Sequence, residues 1–298
     1  MTKKRCAFLT MDNTEGWSID ADLAIAPMQA RDWQIDWVPW RSTDVDWDSF
    51  DAVYIGAPWD YPQDVERFIR VLERIDRSTA VLVNDLELVR WGIPKIYLRD
   101  LEARGAVIVP SLWCEDLCAG ELPSFFDVFS TDRLVIKPVV STNATDTFLL
   151  DRKSALDKAS DTERMLLEVF SGRAFVVQPF IENIQEEGEY SLFYLGGKYS
   201  HAIQKVPKAR DFRVQEEHGA SIVAVEPESS LIDCADRILG LVEPRPVYAR
   251  CDLVRGRDGR FLLMELELIE PSMYLRMHAD APERFAVEFD RYVSAVKG

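Results

Sequence analysis

VYARCDLVRGRDGRFLLMELELIE, residues 247–270, is the stretch that decides how this chain is interpreted. It predicts two strands joined by a tight turn, because two alternating runs flank the charged and glycine-containing RGRDG segment. Side chains alternate faces along a strand, so Arg250 and Asp252 share a face, as do Glu265 and Glu267. The pattern predicts a hairpin with three carboxylates and one guanidinium converging on one face and apolar residues on the other.

The three carboxylates of this hairpin predict a metal site. Carboxylates that lie close together repel one another unless a cation lies among them. Hard oxygen ligands in this number, supplemented by phosphate oxygens, suit magnesium. The alternative is an ordinary hairpin whose polar face is solvated.

Basic residues elsewhere in the acidic chain point to an anion. Lys137 interrupts the apolar run RLVIKPVV, so it either reaches a cleft or extends to the surface. Lys205, Lys208, Arg210 and Arg213 cluster in KVPKARDFRVQEEHG after a predicted hairpin. Such a cluster suits the clamping of a phosphate, although loops also carry solvated basic residues.

Composition limits the class of protein. The 298 residues are 47% hydrophobic and 29% charged, and no apolar run is long enough to span a membrane. The net charge of -16 argues against a nucleic-acid partner, because phosphate backbones require a positive surface. Five cysteines in mostly apolar surroundings and the absence of a leader-like N-terminus predict a cytoplasmic protein.

The N-terminal part alternates strand and helix patterns. CAFLTM, QIDWVPW, DAVYIGA and AVLVND predict strands, and DVERFIRVLERI predicts an amphipathic helix. Further on, VIVPSLW, DRLVIKPVV and the hairpin EYSLFYLGGKYSHAIQKV predict strands of a different arrangement. All eight tryptophans lie between Trp17 and Trp113, which sets the first half apart from the rest.

In order and spacing these pieces resemble the ATP-grasp superfamily, in the branch of glutathione synthetase and D-alanine ligase. The motifs are most similar to the group that contains the D-cycloserine ligase (O-ureido-D-serine cyclo-ligase). They are WDY at 59–61, RWGIPKIYLRDL from Arg90, QPFIENIQEEGEYSLFYLGGKYSHAIQKVPKARDFRVQEEHG from Gln178, and MELELIEPSMYL from Met264. The resemblance implies an α/β (α+β) ATP-grasp fold with an N-terminal α/β domain (1–88), a central lid subdomain (89–175) and a C-terminal subdomain with the metal site (176–298).

The resemblance implies an ADP-forming, ATP- and Mg²⁺-dependent ligase of antibiotic or amino acid metabolism. Such an enzyme joins a carboxylate to an amine through an acyl phosphate, on a small amino-acid-like substrate. Two forms stay open, namely closure of one molecule onto itself and dipeptide-type joining of two amino acids. The rival is a non-catalytic nucleotide-binding regulatory protein. Dimers are usual in the resembled family, so a homodimer is also implied.

The resemblance assigns roles to residues of the nucleotide and metal sites. Its nucleotide residues are Lys95 and Lys137 for the α- and β-phosphates, Gln178, Pro179, Phe180 and Ile181 around adenine, and Glu189 for the ribose hydroxyls, with Glu182 as the runner-up. Its metal ligands are Asp252, Glu265 and Glu267. Its catalytic residues are Arg250 for the oxyanion, and Lys205 and Arg213 for the γ-phosphate or the substrate carboxylate.

Residues for the substrate rest on weaker patterns. Trp59, Asp60 and Tyr61 follow a predicted strand end, where ligands bind in open α/β sheets, although the triplet also suits a packing corner. Ser272 and Tyr274 come just after the metal strand and are expected at the acceptor site. His218, beside the basic cluster, is expected either to orient substrate or to be structural or solvated.

The sequence departs from the family pattern at two places. The loop VVSTNATDT after Lys137 lacks the glycines that let backbone amides approach phosphates. At the third metal position the chain has Glu267, where D-alanine ligases have asparagine.

Overall fold

The hairpin at residues 247–270 forms the edge of a five-stranded antiparallel sheet in the computed structural model, which describes residues 3–157, 161–209 and 211–298. Arg210, part of the predicted basic cluster, lies outside the described residues. The hairpin pairs Arg250 with Glu267 and Asp252 with Glu265, which agrees with the predicted hairpin that carries these four side chains on one face. The sheet order is β11-β10-β9-β12-β13. Its elements and those next to it are α8 (Asn183–Glu186), β9 (Glu189–Leu195), β10 (Lys198–Val206), β11 (Ser221–Ala224), α9 (Ser229–Leu239), β12 (Tyr248–Arg255), β13 (Phe261–Glu267) and α10 (Ala281–Lys297).

The N-terminal part forms a parallel sheet of order β2-β1-β3-β4, as the alternating pattern predicts. Its elements are β1 (Lys4–Thr10), α1 (Ile25–Gln29), β2 (Trp33–Pro39), β3 (Ala52–Ala57), α2 (Val65–Asp76) and β4 (Val81–Val83). β3 is buried along its whole length, as is usual when helices cover both faces of a parallel sheet. Two helices then lead out of this part, α3 (Leu86–Gly92) and α4 (Tyr97–Ala103).

The central part is a four-stranded antiparallel sheet of order β5-β8-β6-β7. It comprises β5 (Leu112–Cys114), α5 (Leu122–Phe129), β6 (Arg133–Pro138), β7 (Phe148–Asp151), α6 (Arg152–Ala155), α7 (Thr162–Phe170) and β8 (Phe175–Pro179). The strand predicted over VIVPSLW is split. Val109 pairs with Leu263 of β13, whereas Leu112 pairs with Val177 of β8. Pro110 between them has no N–H to donate, so the chain changes sheets there.

Packing of the C-terminal helix joins the N-terminal and C-terminal parts. Phe285 and Phe289 of α10 are buried together with Tyr54 of the parallel sheet and Tyr248 of β12. Tyr54 makes edge contacts with both Tyr248 and Phe285, at ring-centroid distances of 5.1 Å. The two sheets therefore share one apolar core, and the polar ends of β12 and β13 lie next to the parallel sheet. Over the described ranges, no helix combines the length and the apolar character that a membrane crossing requires.

Asn84 ties the hairpin strands to the end of the parallel sheet. It is 1% exposed, and its amide donates to the carbonyls of Tyr248 (2.9 Å) and Leu268 (2.8 Å). Its side-chain oxygen accepts from the backbone N–H of Val247 at 2.6 Å. The hydroxyl of Tyr248 adds bonds to Val83 O and Ile269 O. One amide side chain thus satisfies three buried backbone groups at the ends of β12 and β13.

Replacing Asn84 with alanine is expected to lower the free energy of unfolding by about 2–4 kcal/mol, because three buried backbone groups lose their partner. Urea unfolding followed by circular dichroism measures the change. The matched control is Asn13→Ala on the exposed N-terminal loop, where the expected change is within about 0.5 kcal/mol. Equal stability of the Asn84 and Asn13 variants would contradict the role given to this amide.

Candidate active site

A cleft between the three sheets brings together most of the predicted site residues. β13 and β12 form its floor, β6 and β8 form one wall, and the loops after β1 and β3 close one end. It is lined by the predicted residues Trp59, Tyr61, Lys95, Lys137, Gln178, Pro179, Phe180, Ile181, Glu189, Lys205, Arg213, Arg250, Asp252, Glu265, Glu267, Ser272 and Tyr274. Three predicted residues, Asp60, Glu182 and His218, do not line it.

Two lysines from different elements converge on Glu265. Lys137 of β6 donates to one carboxylate oxygen at 2.8 Å, and Lys95, just before α4, donates to the other at 3.3 Å. Both lysines are buried. Burial acts to raise the pKa of Glu265, but the two ammonium groups outweigh it and hold the pKa well below its usual range. Glu265 is therefore ionised, and the two lysines share its single negative charge.

Arg250 links the other two carboxylates of the hairpin. Its guanidinium donates to both oxygens of Asp252, at 3.0–3.1 Å, and to Glu267. Asp252 also accepts from Ser191 at 2.5 Å. Burial acts to raise the pKa of Asp252, but Arg250 and Lys205 lower it overall. A planar guanidinium is suited to this two-sided contact, which a lysine could not reproduce.

Lys205 and Glu189 form a buried pair on neighbouring strands. Lys205 of β10 and Glu189 of β9 are register partners, and the ammonium group lies 2.9 Å from the carboxylate. Lys205 also lies 3.6 Å from Asp252. Burial raises the pKa of Glu189 to about 7, although Lys205 opposes the shift. The carboxylate expected at the ribose is therefore within the charged network.

The segment after β8 borders an apolar pocket. Gln178 pairs with Val135 of β6, and its amide donates to Ser111 at 2.8 Å. Phe180 is buried in a small cluster with other apolar residues of the cleft: Val109, Val135, Ile181, Ile184 and Met264. An apolar slot beside a strand end suits a flat ring.

Glu182, the runner-up for the ribose, lies outside this pocket. Its carboxylate is held by Arg133 at 2.5 Å, and the guanidinium of Arg133 lies over Phe180. The ion pair draws Glu182 away from the cleft. Glu182 is therefore not among the residues that the structure brings to the pocket.

Two residues expected at the substrate also lie elsewhere. Asp60 accepts from the indole of Trp40 at 2.7 Å and pairs with Arg41, so it anchors a packing corner. His218 lies 3.5 Å from the carbonyl of Asn143, at the meeting of two loops. Arg213 does line the cleft, and Asp211 holds its guanidinium at 2.9 Å.

Glu270 and Trp17 are among the cleft residues that sequence reasoning missed. Glu270 lies beyond the metal strand and is only 9% exposed. Trp17, from the loop after β1, packs against Trp59 with ring centroids 5.1 Å apart. The signal for Glu270 was present in MELELIEPS, which carries a third glutamate after the two assigned to the metal.

In the loop after Lys137, residues other than glycine adopt left-handed backbone angles. Asn143, Ala144 and Asp146 adopt left-handed backbone angles, with φ of 49°, 53° and 54°. Thr142 donates to the carbonyl of Trp59 at 2.8 Å, and Lys95 donates to the carbonyl of Ser141 at 3.3 Å. The loop thus reaches the backbone geometry that glycine favours without containing one.

The hairpin carboxylates suit magnesium only together with other ligands. Among residues 3–157, 161–209 and 211–298, no three His, Cys, Asp or Glu side chains are grouped closely enough to hold a metal ion by themselves. The carboxylates contact lysine and arginine. Their oxygen chemistry fits magnesium, which ordinarily keeps one or two carboxylates and takes phosphate oxygens and water as its remaining ligands.

Sequence relatives point to one family. A family model described as the N-terminal domain of D-cycloserine synthetase DcsG matches residues 6–84. Cycloserine biosynthesis protein DcsG from Streptomyces lavendulae is 31% identical over 261 residues, which cover 83% of this chain and 85% of that protein. The match is therefore much longer than the N-terminal sheet alone.

Solved structures agree with that relationship. The crystal structure of D-cycloserine synthetase DcsG matches with a TM-score of 0.84 at 26% identity, over 97% of this chain and 99% of that one. D-Alanine–D-alanine ligase from Bacillus anthracis complexed with ATP matches with a TM-score of 0.67 at 16% identity, over 99% and 98% of the two chains. The second likeness supports the fold alone. The chain belongs to the DcsG-like group of the ATP-grasp ligases, a family of ADP-forming enzymes that join carbon to nitrogen.

Proposed function

We propose that this chain uses ATP and magnesium to turn the carboxylate of a small amino-acid-like substrate into an acyl phosphate, which an amine then attacks to form an amide. The observation that supports the proposal best is the convergence of Lys95 and Lys137 on Glu265 beside the Arg250–Asp252–Glu267 cluster. Four cationic side chains, counting Lys205, and four carboxylates, counting Glu189, thus share one buried site.

The apolar pocket at Phe180 and Ile181 would take the adenine ring. Lys95 and Lys137 would then exchange the Glu265 carboxylate for phosphate oxygens. Asp252, Glu265 and Glu267 would hold magnesium, which neutralises phosphate charge during transfer. In this arrangement the hairpin fixes the phosphates relative to the substrate.

The first step is attack of a substrate carboxylate oxygen on the γ-phosphorus, with cleavage of the bond to ADP. Lys205 and Arg213 would hold the γ-phosphate or the substrate carboxylate in place. In the second step the amine nitrogen attacks the acyl carbon, phosphate leaves, and the amine loses a proton. Arg250 would stabilise the oxyanion of the tetrahedral intermediate.

ADP release in the presence of Mg²⁺ and ATP tests the proposal. The trial substrates are D- and L-amino acids, singly and in pairs, and O-ureido-D-serine. Release with a single molecule and formation of a ring would indicate cyclisation, whereas release only with pairs would indicate dipeptide-type ligation. Tight ADP binding without ADP formation from any substrate would favour the regulatory alternative and overturn the ligase proposal. A homodimer stays a prediction from resemblance, and light scattering tests it.

A further inference from the structure

Glu270 differs from every other buried carboxylate of the cleft. Glu189, Asp252, Glu265 and Glu267 each contact a lysine or an arginine. Within the described part of the chain, the Glu270 side chain makes no ion pair and no hydrogen bond to another side chain, and it accepts only from its own backbone N–H. Burying a carboxylate without a cation is costly, so such a group points to a partner supplied from outside.

Glu270 follows the metal strand along the chain, and the charged groups that act on it are Glu267, Lys95 and Arg250. Along one chain segment, Met264 lies by the apolar pocket, Glu265 by the lysines and Glu267 by Arg250. Glu270 follows three residues later, and its carbonyl accepts from the indole of Trp59 at 2.9 Å. At about 3.3 Å per residue in a strand, Met264 and Glu267 are roughly 10 Å apart. Along the chain the order is therefore the apolar pocket at Met264, the lysines at Glu265, Arg250 at Glu267, and then Glu270.

The surroundings of Glu270 favour a small cation. Trp17, Trp59, Tyr61 and Ser272 line the cleft together with Glu270. The indole of Trp59 bonds to the backbone carbonyl of Glu270, and Trp17 packs against Trp59. The faces of aromatic rings attract ammonium groups. A neighbouring carboxylate neutralises the positive charge of such a group. We propose that Glu270 binds the ammonium group of the amino-acid-like substrate and thereby selects amino acids over hydroxy acids. This assignment rests on the proposed function.

The ionisation of Glu270 gives this assignment a pH dependence. Burial, with a smaller contribution from Glu267, raises the pKa of Glu270 to about 8, while Lys95 and Arg250 oppose the shift. The other titratable groups near it are buried phenols whose pKa is raised by burial: Tyr54, Tyr61 and Tyr248. Glu270 is thus mostly protonated at pH 6, and an ammonium ion binds the ionised form. Its affinity should rise as the pH rises from 6 to 8.

Glu270→Gln tests the assignment, because it removes the charge and nearly keeps the shape. The probes are matched acids that differ only in ammonium against hydroxyl: D- and L-alanine with D- and L-lactate, and D- and L-serine with D- and L-glycerate. Calorimetry with ADP and Mg²⁺ present measures binding without turnover. Glu226→Gln, on the exposed surface away from the cleft, is the matched control. ADP affinity and thermal unfolding report whether each variant is folded.

We expect the wild type and the Glu226 variant to bind at least one amino acid about ten-fold or more tighter than its hydroxy acid. In Glu270→Gln the preference should fall to within about three-fold, and its rise between pH 6 and 8 should disappear, with ADP affinity unchanged. Glu270→Asp, which keeps the charge, should retain part of the preference.

Two results would overturn the assignment: a preference kept by Glu270→Gln, or no preference for any amino acid in the wild type. The outcome is separable from that of the ligase proposal. Selective binding that Glu270→Gln abolishes, with no ADP formed by the wild type, would support Glu270 and reject the ligase chemistry. If the wild type forms ADP and the preference for amino acids is kept in Glu270→Gln, the result would support the ligase chemistry and reject the role of Glu270.

Discussion

Replacing Glu265 with glutamine is expected to lower the rate of ADP formation by about 10²- to 10³-fold, the loss typical of removing one group that stabilises transition-state charge. Glutamine has no charge to bind magnesium. The substitution also leaves Lys95 and Lys137 without their shared carboxylate. Initial rates of ADP release at saturating ATP and Mg²⁺ measure the effect, with Glu226→Gln as the surface control.

The same substitution is expected to cost stability. Both lysines are buried and Glu265 is one-quarter exposed, so breaking the network should lower the free energy of unfolding by about 1–3 kcal/mol. Binding of Mg²⁺ and ATP should restore part of that loss, because phosphate oxygens give the lysines new partners. Urea unfolding with and without nucleotide measures this. Turnover equal to that of the wild type would contradict the metal assignment of Glu265.

Local alternation was sufficient to predict which side chains of the hairpin share a face. Period-two alternation predicts Arg250, Asp252, Glu265 and Glu267 on one face, and the structure pairs Arg250 with Glu267 and Asp252 with Glu265. The parallel N-terminal sheet also followed from alternating strand and helix patterns. In these cases the decisive information is the sequence spacing within one or two elements.

Contacts between distant elements were not predictable in the same way. Glu182 is an acidic residue near the expected ribose site, but only the fold shows that Arg133 holds it. The sequence shows Glu270 as a third glutamate after the metal strand, but its lack of a charged partner is visible only after all neighbours are placed. Similarly, residue type gave no signal for the positive φ angle of Ala144, whereas Asn143 and Asp146 are of the types that tolerate this conformation.

Arg250→Lys is expected to slow amide formation by about 10²- to 10³-fold, more than it slows ADP formation. Lysine keeps the positive charge but cannot contact Asp252 on two sides and Glu267 at once, as the guanidinium does. If Arg250 stabilises the tetrahedral oxyanion, the loss falls mainly on the attack of the amine. The acyl phosphate then persists long enough for water to hydrolyse it.

The measurement is the ratio of ADP to amide product, together with trapping of the acyl phosphate by hydroxylamine as a hydroxamate. We expect a ratio near one in the wild type and a ratio well above one in Arg250→Lys, with more hydroxamate per ADP. Urea unfolding curves check that the Arg250→Lys variant is folded, with lysine beside Asp252 and Glu267. A parallel fall of ADP and product would contradict the second-step role and assign Arg250 to formation of the acyl phosphate, since both products then depend on the same impaired step.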